Sequence, residues 1–360
     1  MNETPGMNVF LTGGSGFVGQ HLITRLVGDG HTVWALARSD QAAQKVERAG
    51  ARPVRGDLAD LADLADPADL ADLADLAGLA DLADLNGSGS QPAWLNSLQE
   101  SDVVVHAAAR MAFWGEDAGF ERDNHRPTLA LFRAAAAAGV RRFVLISAAA
   151  VSTDRNRGPA VVAEDTPTGD SVIAYGRVKL ATEQALTETA TPGMELIILR
   201  PPFIWGTGMT TLDETVASGR FAFIDNGRHT MDFVHVANLA AATAAALTQG
   251  RDRGVYYITH GTPMAMRDFF TPVMGALGAD VSKAPSLPFA VATLLGRVLD
   301  RTARMLRRPT PPPLYNWLVA IMGRDRSYDI TRARTELGYR PEVTFAAGVK
   351  EMRAAAGPRE

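Results

Sequence analysis

The chain of 360 residues contains no cysteine. That excludes a disulfide scaffold, a thiolate nucleophile and cysteine-bound metal, and it fits a reducing compartment. Long apolar runs are also missing: none approaches the ~18 residues a membrane helix needs, although 46% of the residues are hydrophobic. The opening MNETPGMNVF has no basic stretch before an apolar core, so no secretory signal is expected and a cytoplasmic location is. The seven histidines include no His-x-x-x-His pair, so no metal site is expected. No Gly-Lys-Ser/Thr follows the glycine-rich stretch near the start, which removes a P-loop. Basic residues do not cluster with aromatics, so no nucleic-acid surface is expected. The net charge of −4 is concentrated: nine aspartates, with no lysine or arginine, lie in residues 57–85, and the remainder carries +5.

What is present is organised around Val9 to Gly19, VFLTGGSGFVG. A β-branched and apolar run ends in Thr12. Gly13, Gly14, Gly16 and Gly19 follow, and an apolar stretch lies behind them. This reads as strand, tight turn and helix start. One glycine supplies a positive φ, the next lets a pyrophosphate approach the backbone, and the last lets helix and strand pack closely. The free N–H groups and dipole of the helix start attract phosphate. Gly13, Ser15, Gly16, Phe17, Val18 and Gly19 are therefore candidate dinucleotide-binding residues.

Strand-like and helix-like segments then alternate. The strands are MNVFLT, HTVWALAR, ARPVRGD, DVVVHAAA, RRFVLIS and MELIILRPP, with GVYYITHG late in the chain. Near-continuous apolar strands in βα order imply a parallel sheet covered on both faces. Residues 57–85 repeat Asp-Leu-Ala, with Pro67 for a leucine and Gly78 for an aspartate. Three residues turn about 300° on an α-helix, so the leucines make no single face. The segment reads as a low-complexity surface insertion, or alternatively as an acidic docking segment, with NGSGSQP as a flexible exit. After Pro201, TLDETVASGRFAFIDNGRH reads as a helix and hairpin. SLPFAVATLLGRVLDRTARMLRRP reads either as a cap over a substrate site or as a segment lying on a membrane surface.

Tyr175 and Lys179 stand four apart in YGRVK, on one face of an expected helix. An ammonium nearby, with the positive ring of an oxidised nicotinamide, would lower the tyrosine pKa. The phenol could then exchange a proton with a substrate oxygen, and the lysine could hold the nicotinamide ribose.

In order along the chain, TGGSGFVG, HAAA, Asn124, YGRVK, LRPPFIWG and MDFVHVANLA resemble an extended short-chain dehydrogenase/reductase of the NAD(P)-dependent epimerase/dehydratase superfamily. RPPFIWGTG, IDNGRH and GRDRSYDITRARTELGYRPEVTFAAGVKE are similar to its 3β-hydroxysteroid dehydrogenase-like branch. The resemblance implies a Rossmann doubly wound parallel sheet with a smaller, mainly helical C-terminal substrate domain. The Rossmann domain would take 1–205, with the insertion at 57–90. The substrate domain would take most of 206–360, with 230–258 returning to the sheet. The implied activity is hydride transfer between a nicotinamide cofactor and a hydrophobic, sterol-like alcohol or ketone. A sugar-nucleotide epimerase/dehydratase and a non-catalytic NADP(H)-binding regulator remain alternatives.

The same resemblance assigns residues. Asp57 corresponds to the aspartate that contacts adenine, Asn124 to the one that helps hold the lysine through water, and Ala107, Ala108, Ala109 and Pro202 to cofactor-lining positions. Where NAD enzymes carry an acid after the second strand, this chain has Ala37 and then Arg38. A guanidinium suits a 2′-phosphate, so NADP(H) is favoured and NAD(H) left open. The family serine falls on Ala148, with Ser147 one residue early and therefore on the other strand face unless the strand end bulges. Ser147 is kept as the third catalytic candidate beside Tyr175 and Lys179, with Ser152 and Thr153 as substitutes. Met231 stands where many sugar-nucleotide enzymes place a phosphate-holding arginine. It favours an apolar substrate, and Phe113, Trp114, Trp205 and Met209 are expected at the same mouth. His106 is expected to pack beneath the cofactor. Expected partners are the small hydrophobic substrate, with a peripheral membrane contact and a homodimer left open.

Overall fold

The computed structural model describes residues 6–62, 92–153, 161–169, 171–219 and 221–356. The aspartate repeat beyond Ala62 and its exit linker lie outside the described residues.

Seven strands form one parallel sheet: β1 (Asn8–Thr12), β2 (Thr32–Ala37), β3 (Arg52–Arg55), β4 (Val103–His106), β5 (Arg142–Ile146), β6 (Glu195–Arg200) and β7 (Gly254–Tyr257). Their spatial order is β3-β2-β1-β4-β5-β6-β7. The order reverses between β1 and β4, and the crevice at such a switch point is where open α/β sheets bind ligands. In register, Thr12 pairs with His106, His106 with Leu145, Ile146 with Leu199, and Arg200 with Tyr257. The chain thus brings five strand ends to one edge.

Alternation along each strand buries both faces. Val9, Leu11, Val105 and Val144 pack on one side, against α1 (Phe17–Gly28) and α5 (Val236–Ala246). Phe10, Val104, Phe143 and Leu145 pack on the other, against α3 (Arg126–Ala137) and α4 (Ala174–Glu188). Helix α2 (Asp40–Arg48) starts at Ser39, whose hydroxyl accepts the Ala42 N–H and caps it.

A third apolar cluster gathers Trp205, Phe223, Phe233, Phe269 and Phe270 with α6 (Met266–Leu277) and α9 (Phe345–Ala355). Helices α7 (Phe289–Met305) and α8 (Asn316–Met322) pack on each other beside it. The hairpin expected within 211–229 does not form. Phe223–Ile224 pairs with Ser286–Leu287, and Thr230–Met231 with Met264–Ala265. Asp225, Asn226 and Gly227 all have positive φ, at 46°, 60° and 68°. Asp225 also accepts the Phe289 N–H at the start of α7, which draws the turn away from a simple reversal.

Candidate active site

The glycine turn is built on backbone. Gly13 has φ +76°, and a Cβ there would stand 2.7 Å from the Ala108 nitrogen. A Cβ on Gly19 would stand 2.1 Å from the Gly13 carbonyl oxygen, so only glycine lets α1 start so close to β1. Gly16 occupies the cap of α1 and offers no side chain to its N–H groups. Those groups face a cavity of about 370 Å³ whose wall includes Gly13, Gly16, Phe17, Val18 and Gly19. An uncapped helix start over a bare glycine floor fits the pyrophosphate of a dinucleotide. Ser15 is half-buried within the same turn.

A buried chain of hydrogen bonds fixes this floor to the loop after β4. The Ala108 N–H donates to Thr12 Oγ1, which lies 2.7 Å from His106 Nδ1. On the other side His106 Nε2 lies 2.8 Å from Thr128 Oγ1, and the Thr128 hydroxyl donates to the Asn124 carbonyl. Since Thr128 spends its proton there, it accepts from Nε2–H, and Nδ1 accepts from Thr12. The imidazole is therefore the neutral Nε2–H form. Burial, then the Lys179 charge, push its pKa down to about 3. Asn124 sits in a π-helical turn, Glu121–His125, that leads into α3. Its amide clamps Arg110, accepting the N–H at 2.7 Å and donating to the carbonyl at 3.0 Å. In this structure its polar atoms hold the backbone beyond Ala109. Ala107, Ala109 and Pro202 line the cavity.

Arg38 is exposed just beyond β2, and Ala37 ahead of it is buried. Asp57 stands after β3 and accepts the Ala59 N–H at 3.1 Å, capping the short helix Ala59–Ala62. Neither lines the cavity.

On α4, Tyr175 and Lys179 are both buried. Tyr175 lines the cavity, and Lys179 Nζ donates to the Ile146 carbonyl at the end of β5. Burial lowers the lysine pKa to about 8 against the opposing pull of Glu183. In the chain by itself, burial pushes the Tyr175 pKa above its ordinary value. The ammonium stands 6.0 Å from the centre of the phenol ring, and its attraction does not offset the desolvation of the hydroxyl.

The hydroxyl candidates separate cleanly. Ser147 lines the cavity, but its hydroxyl donates to Glu183, one helical turn beyond Lys179. Glu183 in turn holds the Arg200 guanidinium at the end of β6, at 2.5 Å, in a pair with under a tenth of either side chain exposed. The Ser152 hydroxyl donates to the Ala149 carbonyl at 2.8 Å. Ala148 and Thr153 line the cavity as well. Sequence reasoning missed Glu183 and Arg200, although Tyr175, Lys179 and Glu183 recur at four-residue steps along one helix face.

The far end of the cavity is apolar. Phe113 stacks on Trp317 of α8 with ring centres 3.9 Å apart, and Met231, Ile321 and Tyr328 complete the wall. Three expectations for this mouth are corrected. Trp205 and Met209 lie inside the third cluster: the chain after β6 lines the cavity with Pro201 to Ile204 and with Thr210 and Thr211, while these two side chains pack among Phe233, Phe269 and Val349. Trp114 points outward from the lining, donating to the Arg308 carbonyl at 3.0 Å. Arg326, bridged to Met231, donates its guanidinium to the Ser152 carbonyl.

The model of the NAD dependent epimerase/dehydratase family matches residues 9–259. A 4-hydroxy-2-methyl-3-oxo-4-farnesyl-3,4-dihydroquinoline-1-oxide ketoreductase of Stigmatella aurantiaca is 31% identical over 98% of this chain and 97% of its own. A decarboxylating sterol-4-alpha-carboxylate 3-dehydrogenase of Dictyostelium discoideum is 25% identical over 96% of this chain and 99% of its own. Among solved structures, a UDP-glucose 4-epimerase of Thermotoga maritima superposes with a TM-score of 0.68 at 20% identity, covering 97% of this chain and 98% of that one, and this likeness shows the fold. The chain belongs to the NAD dependent epimerase/dehydratase family, as an NAD(P)-dependent oxidoreductase.

Proposed function

We propose that this protein is an NADP(H)-dependent ketoreductase for a hydrophobic ketone carried on a ring or long chain. One observation carries the reading: Tyr175 and Thr153 face a single cavity whose floor is the glycine turn and whose far wall is Phe113, Trp317, Met231 and Ile321. That wall offers a sugar diphosphate no cation. The ketoreductase and sterol dehydrogenase relatives are named for apolar substrates.

Gly13–Gly19 would hold a nicotinamide dinucleotide, which when bound would supply the hydride that reduces the carbonyl carbon. The chain supplies the rest. Burial keeps Tyr175 protonated near neutral pH, so its hydroxyl gives the carbonyl oxygen the proton that completes the alcohol. Thr153 lines the same cavity, and its hydroxyl serves as second donor in place of the serine absent at Ala148. Ser147 holds Glu183 and acts by positioning α4. Lys179, charged below about pH 8, orients the ribose. Exposed Arg38 meets a 2′-phosphate bidentately.

Fluorescence titration with NADPH and NADH tests the cofactor half. NADPH should bind more tightly, and Arg38→Ala should remove that preference while leaving NADH binding intact. Equal affinities in the wild type would discard the role of Arg38. A panel of apolar 3-oxo compounds against UDP-sugars tests the substrate half, with turnover of the former alone as the expected result.

A further inference from the structure

Helix α7 carries an apolar face that nothing among the described residues covers. Its buried side is narrow and made of small residues: Ala292, Gly296, Asp300 and Ala303, with Gly296 seated against Val319 of α8. Turned away are Val291, Leu294, Leu295, Val298, Leu299 and Met305, exposed by 38% to 77%, and Leu306 continues the patch. At about 100° per residue these side chains fill a continuous arc of roughly 140°. Soluble surfaces scatter single leucines, whereas a contiguous patch marks an interaction site.

The edge of the arc identifies the occupant. Arg297, Arg301 and Arg304 lie side by side along one flank, and Arg307 and Arg308 follow at the C-terminal end. All five are exposed. The one acid on α7, Asp300, is buried and bonded to Arg304 at 2.6 Å. A second copy of this face would bring arginines and no exposed carboxylate. A bilayer surface with anionic headgroups matches both halves, taking the leucines among the acyl chains and the guanidiniums among the phosphates. No helix among the described residues is long and apolar enough to cross a membrane, so the geometry is that of a helix lying in the interface.

We propose that α7 docks this protein on anionic phospholipid membranes. The docked face adjoins the cavity rim: Trp114 lies under Arg304, 4.6 Å from its guanidinium, and α8 presents Trp317 and Ile321 to the cavity. Met111, half exposed, stands at the same rim. Docking would place the opening against the lipid phase, a consequence that rests on the apolar-substrate reading, whereas docking itself does not.

Co-sedimentation of the full chain with vesicles tests this. Phosphatidylcholine vesicles containing phosphatidylglycerol should pellet the protein, and pure phosphatidylcholine vesicles should pellet much less. Leu294→Glu with Val298→Glu should abolish pelleting while leaving NADPH binding unchanged. Arg297→Glu or Arg301→Glu should weaken it at least about fivefold each. Failure of the wild type to pellet, or pelleting that survives the glutamates, overturns the proposal. So does a stable dimer that the glutamate variant splits without any vesicle binding, which would give the face to a second copy. None of these readouts involves turnover, so the proposed reductase activity stands or falls separately.

Discussion

The two ends of the cavity are built by different means. At the glycine-turn end, proposed for the dinucleotide, the backbone does the work. Gly13, Gly16 and Gly19 shape the floor, and the Thr12–His106–Thr128 chain ties it to the loop after β4. At the end proposed for substrate side chains do the work, and Phe113, Met231, Trp317 and Tyr328 arrive from four distant segments. A backbone-built floor tolerates almost no substitution, because an added atom meets main chain that cannot move. A side-chain wall can repack, so its residues tune which substrate fits more than whether the fold holds.

Substitutions at each end sharpen that contrast. Thr153→Val, at the reacting centre between the two ends, should lower kcat by about 10²–10³-fold, the loss seen when one donor to a developing oxyanion is removed. Ser147→Ala should lower stability, by loss of a bond to a buried carboxylate, more than it lowers kcat. Equal kcat losses would return the donor role to Ser147. Gly13→Ala forces a side chain into a left-handed conformation, about 1–2 kcal/mol before the contact at Ala108 is counted. NADPH affinity should fall more than tenfold, read by titration, with a lower melting temperature. Phe113→Ala should raise KM for apolar substrates several-fold and leave NADPH affinity unchanged, and a matching loss of both would break the division between the ends.

The lysine at the junction gives a pH signature. Lys179 titrates at about 8 in the folded chain against an ordinary 10.5. Between those values the unfolded lysine still binds its proton and the folded one does not, so Lys179's contribution to stability rises with pH across that window. Activity that needs the ammonium should fall across the same window. Lys179→Met should remove the stability gain, seen by comparing denaturant midpoints of the two proteins at pH 8 and pH 10.

The contrast also explains what was legible in the sequence. A glycine that needs positive φ or a bare Cα leaves a mark at its own position, and a strand shows in its own apolar run, so the turn and the seven strands could be read from local sequence. The roles of His106 and Glu183 depend on partners 22 to 94 positions away for the histidine and 17 to 36 for the glutamate, and no local pattern carries those pairings. Trp205 and Met209 failed for the same reason. Their apolar character was plain, but which of two cavities or cores they would fill depended on how the chain after β6 turns. The hairpin expected within 211–229 was lost to three successive positive-φ residues, two of which are not glycine.

In the proposed enzyme one cavity joins a dinucleotide floor to an apolar substrate wall through Tyr175. The most direct measurement follows nicotinamide absorbance on mixing NADPH with an apolar ketone, for the wild type and for Tyr175→Phe. The account predicts NADPH consumption by the wild type, and a variant that binds NADPH with unchanged affinity but turns over about 10²–10⁴-fold more slowly. Undiminished consumption by Tyr175→Phe would contradict it.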